Sequence, residues 1–272
     1  MYAKNVWTDA SSEKKESIFS FNEDYKAFLS LAKTERTATK EAIKLAEAAG
    51  FKNLEDVKSV KAGDKIYAVN KDKNFLAVII GKKSIEEGMR VLGAHIDSPR
   101  LDIKQNPLTE KGGLAYFETH YYGGIKKYLY VTTPLAIHGV VYKKDGSHVD
   151  VAIGEDPTDP VVGVTDLLIH LSGEMMSKPA NKVVEGENLD INVGSIPEKD
   201  VEADPVKATI LKLLKEKDSH ILIRIREHKS TNLSVTLSTF CSYMKFREIW
   251  GHPSSQCLLN WLIVVTLFHN VF

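Results

Sequence analysis

The chain has 272 residues, of which 43% are hydrophobic and 26% charged, and its 36 Lys and Arg balance its 36 Asp and Glu. This composition is typical of a soluble protein with one large domain or two ordinary ones, and zero net charge gives no reason to expect nucleic acid or an anionic membrane as a partner. The first residues, MYAKNVW, lack the apolar core of a secretion signal, and two cysteines make no disulfide framework, so we expect a cytoplasmic protein.

The first hundred residues are predicted to form two helices followed by strands. Ser20 and Glu23 have the spacing of a capping box that begins the first helix, and the second helix runs from about residue 37 or 39 to Ala49, with Gly50 as its stop. Three segments then have the character of strands, at 66–69, 75–80 and 91–95. The last two are continuous apolar runs, as in a sheet covered on both faces, so the order of elements predicts an α/β layer structure.

From about residue 104 the sequence becomes rich in β-formers. Strands are predicted at 114–122, 128–131, 137–142 and 148–153, and another apolar stretch runs from 161 to 171. Lys144-Asp145-Gly146-Ser147 is a hairpin signal between two of these strands, and Pro205–Lys217 is a helix with Pro at its start. We therefore predict one domain over residues 1–103 and a second, β-rich domain with a return helix over 104–217.

The chain changes character after Lys217. Both cysteines lie in residues 218–272, and this segment contains one of the 17 glycines and three acidic residues. We interpret it as atypical and out-of-frame sequence; the alternatives are a genuine segment with a buried helix or strand, and a membrane anchor. The final 15 residues are short for a membrane span, and polar residues interrupt them.

The most informative motif is Gly93-Ala94-His95-Ile96-Asp97-Ser98-Pro99-Arg100-Leu101-Asp102, at the end of a predicted strand. Residues i and i+2 of an extended chain point to the same side, so His95 and Asp97 are expected to share one pocket. A metal-bound imidazole usually donates its other N–H to a carboxylate, which makes this pair a candidate metal site. The alternative is a polar turn, in which Asp97 binds local N–H groups.

This motif resembles the signature of the aspartyl aminopeptidase family of zinc exopeptidases. Weaker blocks in the family's order extend the resemblance over about residues 1–217, at 106–108, 122–124, 134–139, 166–171, 181–182, 185–187 and 193–197. The resemblance implies a zinc-exopeptidase-like α/β sandwich catalytic domain, here its N-terminal part only, with an inserted β-rich dimerisation domain. It also implies two zinc or other divalent ions, homo-oligomers, and removal of N-terminal residues from peptides.

The resemblance assigns roles to three residues. His95 corresponds to a zinc ligand, Asp97 to the carboxylate that orients this ligand in the catalytic centre, and His170 to a substrate-binding histidine that reaches towards a neighbouring subunit's active site. For His170, which lies in an apolar stretch, an ordinary core histidine is the alternative. His120, His138 and His148 alternate with β-formers, which favours surface or cross-strand positions for them.

The sequence also departs from the family. The family's bridging aspartate, glutamate base and remaining zinc ligands come from the second half of its catalytic domain, and residues 218–272 contain no corresponding Asp-Asp or Glu-Glu pair. We therefore expect a zinc aminopeptidase by descent whose 272-residue chain alone is weakly active or inactive. The alternatives are an interaction protein that binds only intact subunits through its β-rich domain, and an unstable product of a frameshift.

Overall fold

The computed structural model describes residues 4–142, 146–217, 232–237 and 263–266, the last two segments as backbone only. The α-helices are α1 (Ser12–Leu31), α2 (Glu35–Ala48), α3 (Gly173–Met176) and α4 (Pro205–Lys217). The strands are β1 (Lys52–Asn53), β2 (Lys65–Asn70), β3 (Asn74–Ile79), β4 (Arg90–Leu92), β5 (Arg100–Lys111), β6 (Leu114–Tyr122), β7 (Leu135–Tyr142), β8 (His148–Ile153), β9 (Ile191–Gly194), β10 (Asn232–Leu237) and β11 (Ile263–Thr266). None of the described helices is long and apolar enough to cross a membrane.

The chain divides into two units. The first comprises residues 1–98 and 254–272, and the second comprises residues 99–253. The change of unit between Ser98 and Pro99 falls earlier in the chain than the boundary at 103 that the sequence predicts. The mixed α/β character of the prediction is confirmed.

The first unit contains a five-stranded sheet in the order β1-β2-β3-β11-β4, in which β1 and β2 are parallel and so are β3 and β11. Its described core is small and lies where α2 meets β2 and β3, at Ala42, Ala46, Tyr67, Phe75 and Ala77. The prediction of a sheet covered on both faces is wrong for the described residues, because Leu76 on β3 and the whole of β4 are exposed.

The two helices of the first unit begin earlier than the sequence predicts. The predicted capping box at Ser20 is wrong, because Ser11 is the N-cap of α1 and its side chain accepts a hydrogen bond from Lys14 N. Thr34 and Thr37 form the capping box of α2. Gly50 follows the C-cap with φ +83°, a left-handed conformation that glycine adopts without strain, so the predicted stop of α2 is confirmed.

The second unit contains a six-stranded sheet in the order β8-β7-β10-β5-β6-β9, in which all neighbours are antiparallel. Its large core is formed by apolar side chains of β5–β9 and by Val206 and Ile210 of α4. Strands β6, β7 and β8 and helix α4 agree with the prediction. The hairpin signal is only partly visible, because β7 and β8 pair but residues 143–145 lie outside the described residues.

Two predicted apolar segments of the second unit are not strands. At 128–131 the chain makes a 3-10 turn, Lys127–Leu129, which is followed by the buried Tyr130. Between 161 and 171 it makes isolated bridges and the 3-10 turn Ile169–Leu171. Strands β10 and β11 both lie in the segment 218–272 that the sequence marks as atypical, and β10 pairs with β5 and β7.

Helix α4 is attached to the sheet through its first turn. Lys207 N donates a hydrogen bond to Glu110 Oε2 at 2.9 Å, so a carboxylate from β5 satisfies an N–H that has no partner within the helix. We expect Glu110→Ala to lower the free energy of unfolding by about 1 kcal/mol, as loss of a helix cap does. Denaturant unfolding would measure this loss, and an unchanged midpoint would show that the contact does not hold the helix.

The ionisation of Tyr130 makes the stability of the second unit depend on pH in the alkaline range. Burial raises the pKa of Tyr130 to about 12, from 10.0. The unfolded chain would release this proton from pH 10 upwards, whereas the folded chain would hold it to about pH 12, so the contribution is complete below pH 10 and is lost as the pH rises to 12. Ultraviolet titration should show late-ionising tyrosine absorbance, to which Tyr67 also contributes because its hydrogen bond to Glu47 raises its pKa. This absorbance should fall by one tyrosine in Tyr130→Phe, and no fall would show that the assignment is wrong.

Candidate metal site

The site predicted from the motif is a local contact between His95 and Asp97. Nδ1 of His95 lies 2.9 Å from Asp97 Oδ1 and 2.9 Å from the backbone oxygen of the same residue. The ring nitrogen that faces two acceptors is the one that carries the proton, so a metal bound by this ring would be held by Nε2. This is the arrangement of a metal-binding histidine whose tautomer is fixed by a carboxylate.

The backbone that brings the two side chains together is not a strand. Strand β4 ends at Leu92, and residues 93–99 have no regular secondary structure. Arg100 and Asp102, also two residues apart, make a side-chain contact on the strand β5, so this spacing permits a contact on either kind of backbone. The pairing is as predicted, but the predicted strand geometry at 91–95 is wrong beyond Leu92.

A second histidine–aspartate pair has the same spacing but lies on a regular strand. His148 and Asp150 lie two residues apart on β8, and both are exposed. The ring of His148 lies 5.6 Å from the ring of Tyr142. The two pairs therefore share their spacing and differ in the backbone that carries them.

The ionisation of His95 suits a metal ligand. Its side chain is 43% exposed and that of Asp97 41%. Partial desolvation lowers the pKa of His95 from 6.5, while the negative charge of Asp97 acts in the opposite direction. A lowered pKa keeps the imidazole neutral near pH 7, which is the form that binds a metal.

The ligand set is incomplete within the described part of the chain. In residues 4–142 and 146–217, no three side chains of His, Cys, Asp or Glu meet in a group that could hold a metal ion. A catalytic zinc ion typically has three protein ligands. The described residues fit one ligand and its orienting carboxylate.

His170 lies apart from this pair in the chain and belongs to the second unit. It is exposed, in the turn Ile169–Leu171, so the alternative of a core histidine is wrong. The neighbouring side chains Leu167, Leu168, Ile169 and Leu171 are also exposed. A shallow pocket of about 470 Å³ lies beside the start of this segment and includes Thr132, Val164 and Asp166 in its lining.

Two of the other three histidines of the β-rich region have the surface positions that the sequence favours, and His138 does not. His120 and His148 are exposed. His138 is buried on β7, and its Nε2 lies 2.8 Å from Glu155 Oε1, a pairing that sequence reasoning did not identify. Glu155 follows β8, so its contact depends on the hairpin and is not visible from spacing alone.

A histidine whose Nδ1 contacts a carboxylate is a feature of metal-binding sites in proteins. Residues 28–238 match the sequence model of the family described as "Aminopeptidase I zinc metalloprotease (M18)". The chain belongs to this family, and the resemblance seen in the sequence is confirmed. Zinc is the cofactor that the family's description names, as predicted.

Known relatives agree with this assignment. A probable M18 family aminopeptidase 1 of Clostridium acetobutylicum is 52% identical over 219 residues, which cover 79% of this chain and 47% of the relative. The crystal structure of the M18 aminopeptidase from Thermotoga maritima is 34% identical with a TM-score of 0.79, covering 98% of this chain and 61% of that one. That of aminopeptidase I from Clostridium acetobutylicum is 40% identical with a TM-score of 0.76, covering 97% and 62%.

The chain spans about half the length of the curated relatives it matches. The family match runs past Lys217 to residue 238, so the first part of the segment treated as atypical resembles the family. A more distant structure, the mApe1 dodecamer of S. cerevesiae, is 15% identical with a TM-score of 0.55 over 92% of this chain and 60% of its own, and it shows a shared fold.

Proposed function

We propose that this chain supplies part of the metal centre of an aminopeptidase that removes N-terminal residues from peptides with zinc-activated water. The observation that carries the proposal is the 2.9 Å contact between His95 Nδ1 and Asp97 Oδ1 in a chain of the M18 family. Bound zinc would lower the pKa of its water to about 7, so that hydroxide forms at neutral pH.

His95 is the proposed zinc ligand and would use Nε2. Asp97 accepts the Nδ1 proton, holds the ring in one orientation and increases the basicity of Nε2. In two-metal hydrolases the ions lie about 3.5–4 Å apart. Each catalytic zinc ion typically has three protein ligands, so two ions need several more carboxylates and imidazoles than the described residues bring together. One imidazole does not bind zinc tightly, and the remaining ligands of the proposed centre lie outside the described residues.

The second unit is the proposed dimerisation domain, inserted into the sandwich-like catalytic domain, and the protein is a proposed cytoplasmic homo-oligomer. The exposed apolar side chains around His170, in the segment 167–171, support an interface there. One structure of the same fold is described as a dodecamer. In such an assembly His170 would contact the peptide substrate of a neighbouring subunit.

The 272-residue chain alone is expected to be weakly active or inactive, because three protein ligands and a general base are needed and the described residues supply one ligand. The test is cleavage of aminoacyl-nitroanilides by the purified chain with added zinc, with the Clostridium acetobutylicum relative as the positive control. We expect zinc-dependent cleavage that is absent or far below that of the relative. Zinc-dependent turnover comparable to that of the relative, and lost in His95→Ala, would contradict the proposed incompleteness and support the proposed ligand.

A second candidate function is binding to intact subunits. The large core of the second unit favours it, because this unit buries its own apolar residues and still exposes the segment 167–171. Mixing the chain with the Clostridium acetobutylicum relative, followed by sizing and zinc analysis of the complex, distinguishes the two. A mixed complex without recovered activity would favour the binding role.

We propose an out-of-frame origin for the part of the atypical segment 218–272 that lies beyond the family match. Residues 239–272 lie beyond the match and contain both cysteines. Translation of the coding DNA in the other two frames tests this. Family-like carboxylates and a histidine in one of those frames would support the proposal, and their absence from both would contradict it.

A further inference from the structure

The sheet of the first unit carries a helix on one of its faces. There, Ala42 and Ala46 of α2 pack against Tyr67 of β2 and against Phe75 and Ala77 of β3. No described helix other than α2 contributes to the core cluster of this sheet. Side chains alternate between the two faces of a strand, so the residues that lie between Tyr67, Phe75 and Ala77 along these strands point to the opposite face.

The opposite face is apolar and incompletely covered. We call it the open face, and it is defined by Ala68 of β2, Leu76 and Val78 of β3, and Val91 of β4. Leu76 is paired with Ala68, and Val78 and Val91 are both in register with Val265 of β11, so the four residues share one side of the sheet. Leu76 is 37% exposed and Val91 57%, while Ala68 and Val78 are partly buried.

The sequence of β3 is that of a strand covered on both sides. Residues 75–80 are apolar without a break, whereas a strand with one face in water alternates apolar and polar residues. The sheet also contains two parallel pairs, β1 with β2 and β3 with β11, and parallel pairs occur where both faces are buried. Ile66, which is paired with Val78 on the same face, is already buried. The open face therefore has the composition and the topology of a buried surface.

The fold class and the relatives together indicate what covers this face. Sheets with parallel strands are covered by helices on both faces, so the matching surface is the apolar side of a helix. The chain matches 47% of the Clostridium acetobutylicum relative and 61% of the Thermotoga maritima structure, so a large part of an M18 chain lies outside the match. A second copy of this chain would instead present its own open face, which would place a sheet where this layer architecture has helices.

We infer that the open face is a docking surface for the portion of an M18 chain that lies outside this match, and that the 272-residue chain binds a separate polypeptide that carries this portion. The inference rests on the proposed function, in which the remaining ligands of the metal centre lie outside the described residues. Contiguous exposed apolar surface marks sites of protein association. The partner is therefore a polypeptide whose apolar helix surface covers Leu76 and Val91.

The test uses the 272-residue chain and a probe polypeptide, the portion of the Clostridium acetobutylicum relative that lies outside its 219 matched residues. Leu76→Glu and Val91→Glu place a charge on the open face, and because both residues are exposed in the chain, each variant is expected to fold. Leu45→Glu is the matched control, since Leu45 is 61% exposed on α2 and lies outside the core cluster of the sheet. Binding is measured without zinc by sizing and titration, and denaturant unfolding checks each variant.

We expect the unmodified chain to bind the probe one to one. Leu76→Glu and Val91→Glu should each weaken this binding about 10–100-fold, which corresponds to the loss of one aliphatic side chain from a buried contact. Leu45→Glu should change it by less than about twofold.

Three results would overturn the inference. One is no binding by the unmodified chain while the probe restores activity to the matched portion of its own chain. Another is an equal loss of binding in all three variants, which would place the contact elsewhere. The third is self-association of the chain through Leu76 and Val91 that leaves the probe free, because the occupant would then be a second copy.

Activity of the complex is measured separately, so that the docking surface and the proposed function can fail independently. Binding that depends on Leu76 and Val91, without zinc-dependent cleavage of aminoacyl-nitroanilides, would support the docking surface and contradict the proposed metal role of His95. Cleavage by the complex that is lost in His95→Ala would support both.

Discussion

Replacing Phe117 by alanine is expected to lower the free energy of unfolding of the second unit by about 3–5 kcal/mol. Phe117 lies on β6, is 3% exposed, and is paired in register with Leu108 on β5 and Ile191 on β9. Its ring therefore fills the core between three strands, and alanine would leave a cavity that the rigid sheet cannot close.

The measurement is denaturant unfolding followed by circular dichroism, with Phe19→Ala as the matched control. Phe19 lies on α1 and is 61% exposed, so the same chemical change there should cost less than about 0.5 kcal/mol. Equal losses at the two positions would contradict the placement of Phe117 in the core.

The second large effect is expected at the candidate metal site. Asp97→Ala removes the acceptor of the Nδ1 hydrogen of His95, so the ring can change tautomer and rotate. We expect zinc binding at His95 to weaken by about 10–100-fold. The binding constant is to be taken from the shift of the His95 ring nitrogens during a zinc titration, which remains measurable when binding is weak.

Asp150→Ala is the matched control for this substitution. Asp150 stands two residues after His148 on β8, in the same spacing as Asp97 after His95, but on a regular strand. Its removal should leave the zinc response of His95 unchanged. A similar loss of zinc binding in both variants would mean that the effect comes from overall negative charge and not from orientation of the ring.

Local sequence patterns predicted the parts of the fold that local interactions determine. Strands β6, β7 and β8 are rich in β-forming residues and are bounded by turn residues, and α4 begins with proline. Local patterns alone did not identify the start of α1, because two serines fit the N-cap equally well. Ser11 and Ser20 both have the side chain of an N-cap, and the polar residues between them are good helix formers, so the helix extends to the earlier serine.

The remaining errors concern features that depend on distant partners. The run at 128–131 has strand composition, but Tyr130 is buried in a turn against core residues that the sequence places elsewhere. The apolar sequence of β4 predicts a strand buried on both faces of a sheet, yet its side chains are exposed among the described residues. Apolar character indicates that a residue is suited to burial, and the partner that would bury it is not encoded locally.

The candidate site was predictable only in part. His95 and Asp97 could be paired because they are two residues apart, although the geometry that joins them is not that of a strand. The contact between Arg100 and Tyr122 joins residues far apart in sequence, and it depends on the register of β5 and β6. No spacing rule gives that register, so this contact is visible only in the structure.

We propose that His95 is a zinc ligand whose orientation is fixed by Asp97. This proposal is tested by a zinc titration of the unmodified chain, in which the ring nitrogens of all nine histidines are followed by ¹⁵N NMR. We expect His95 to start in the tautomer protonated at Nδ1 and its Nε2 resonance to respond at the lowest zinc concentration. A His95 ring protonated at Nε2, or a zinc response no stronger than that of the exposed His120 and His148, would contradict it.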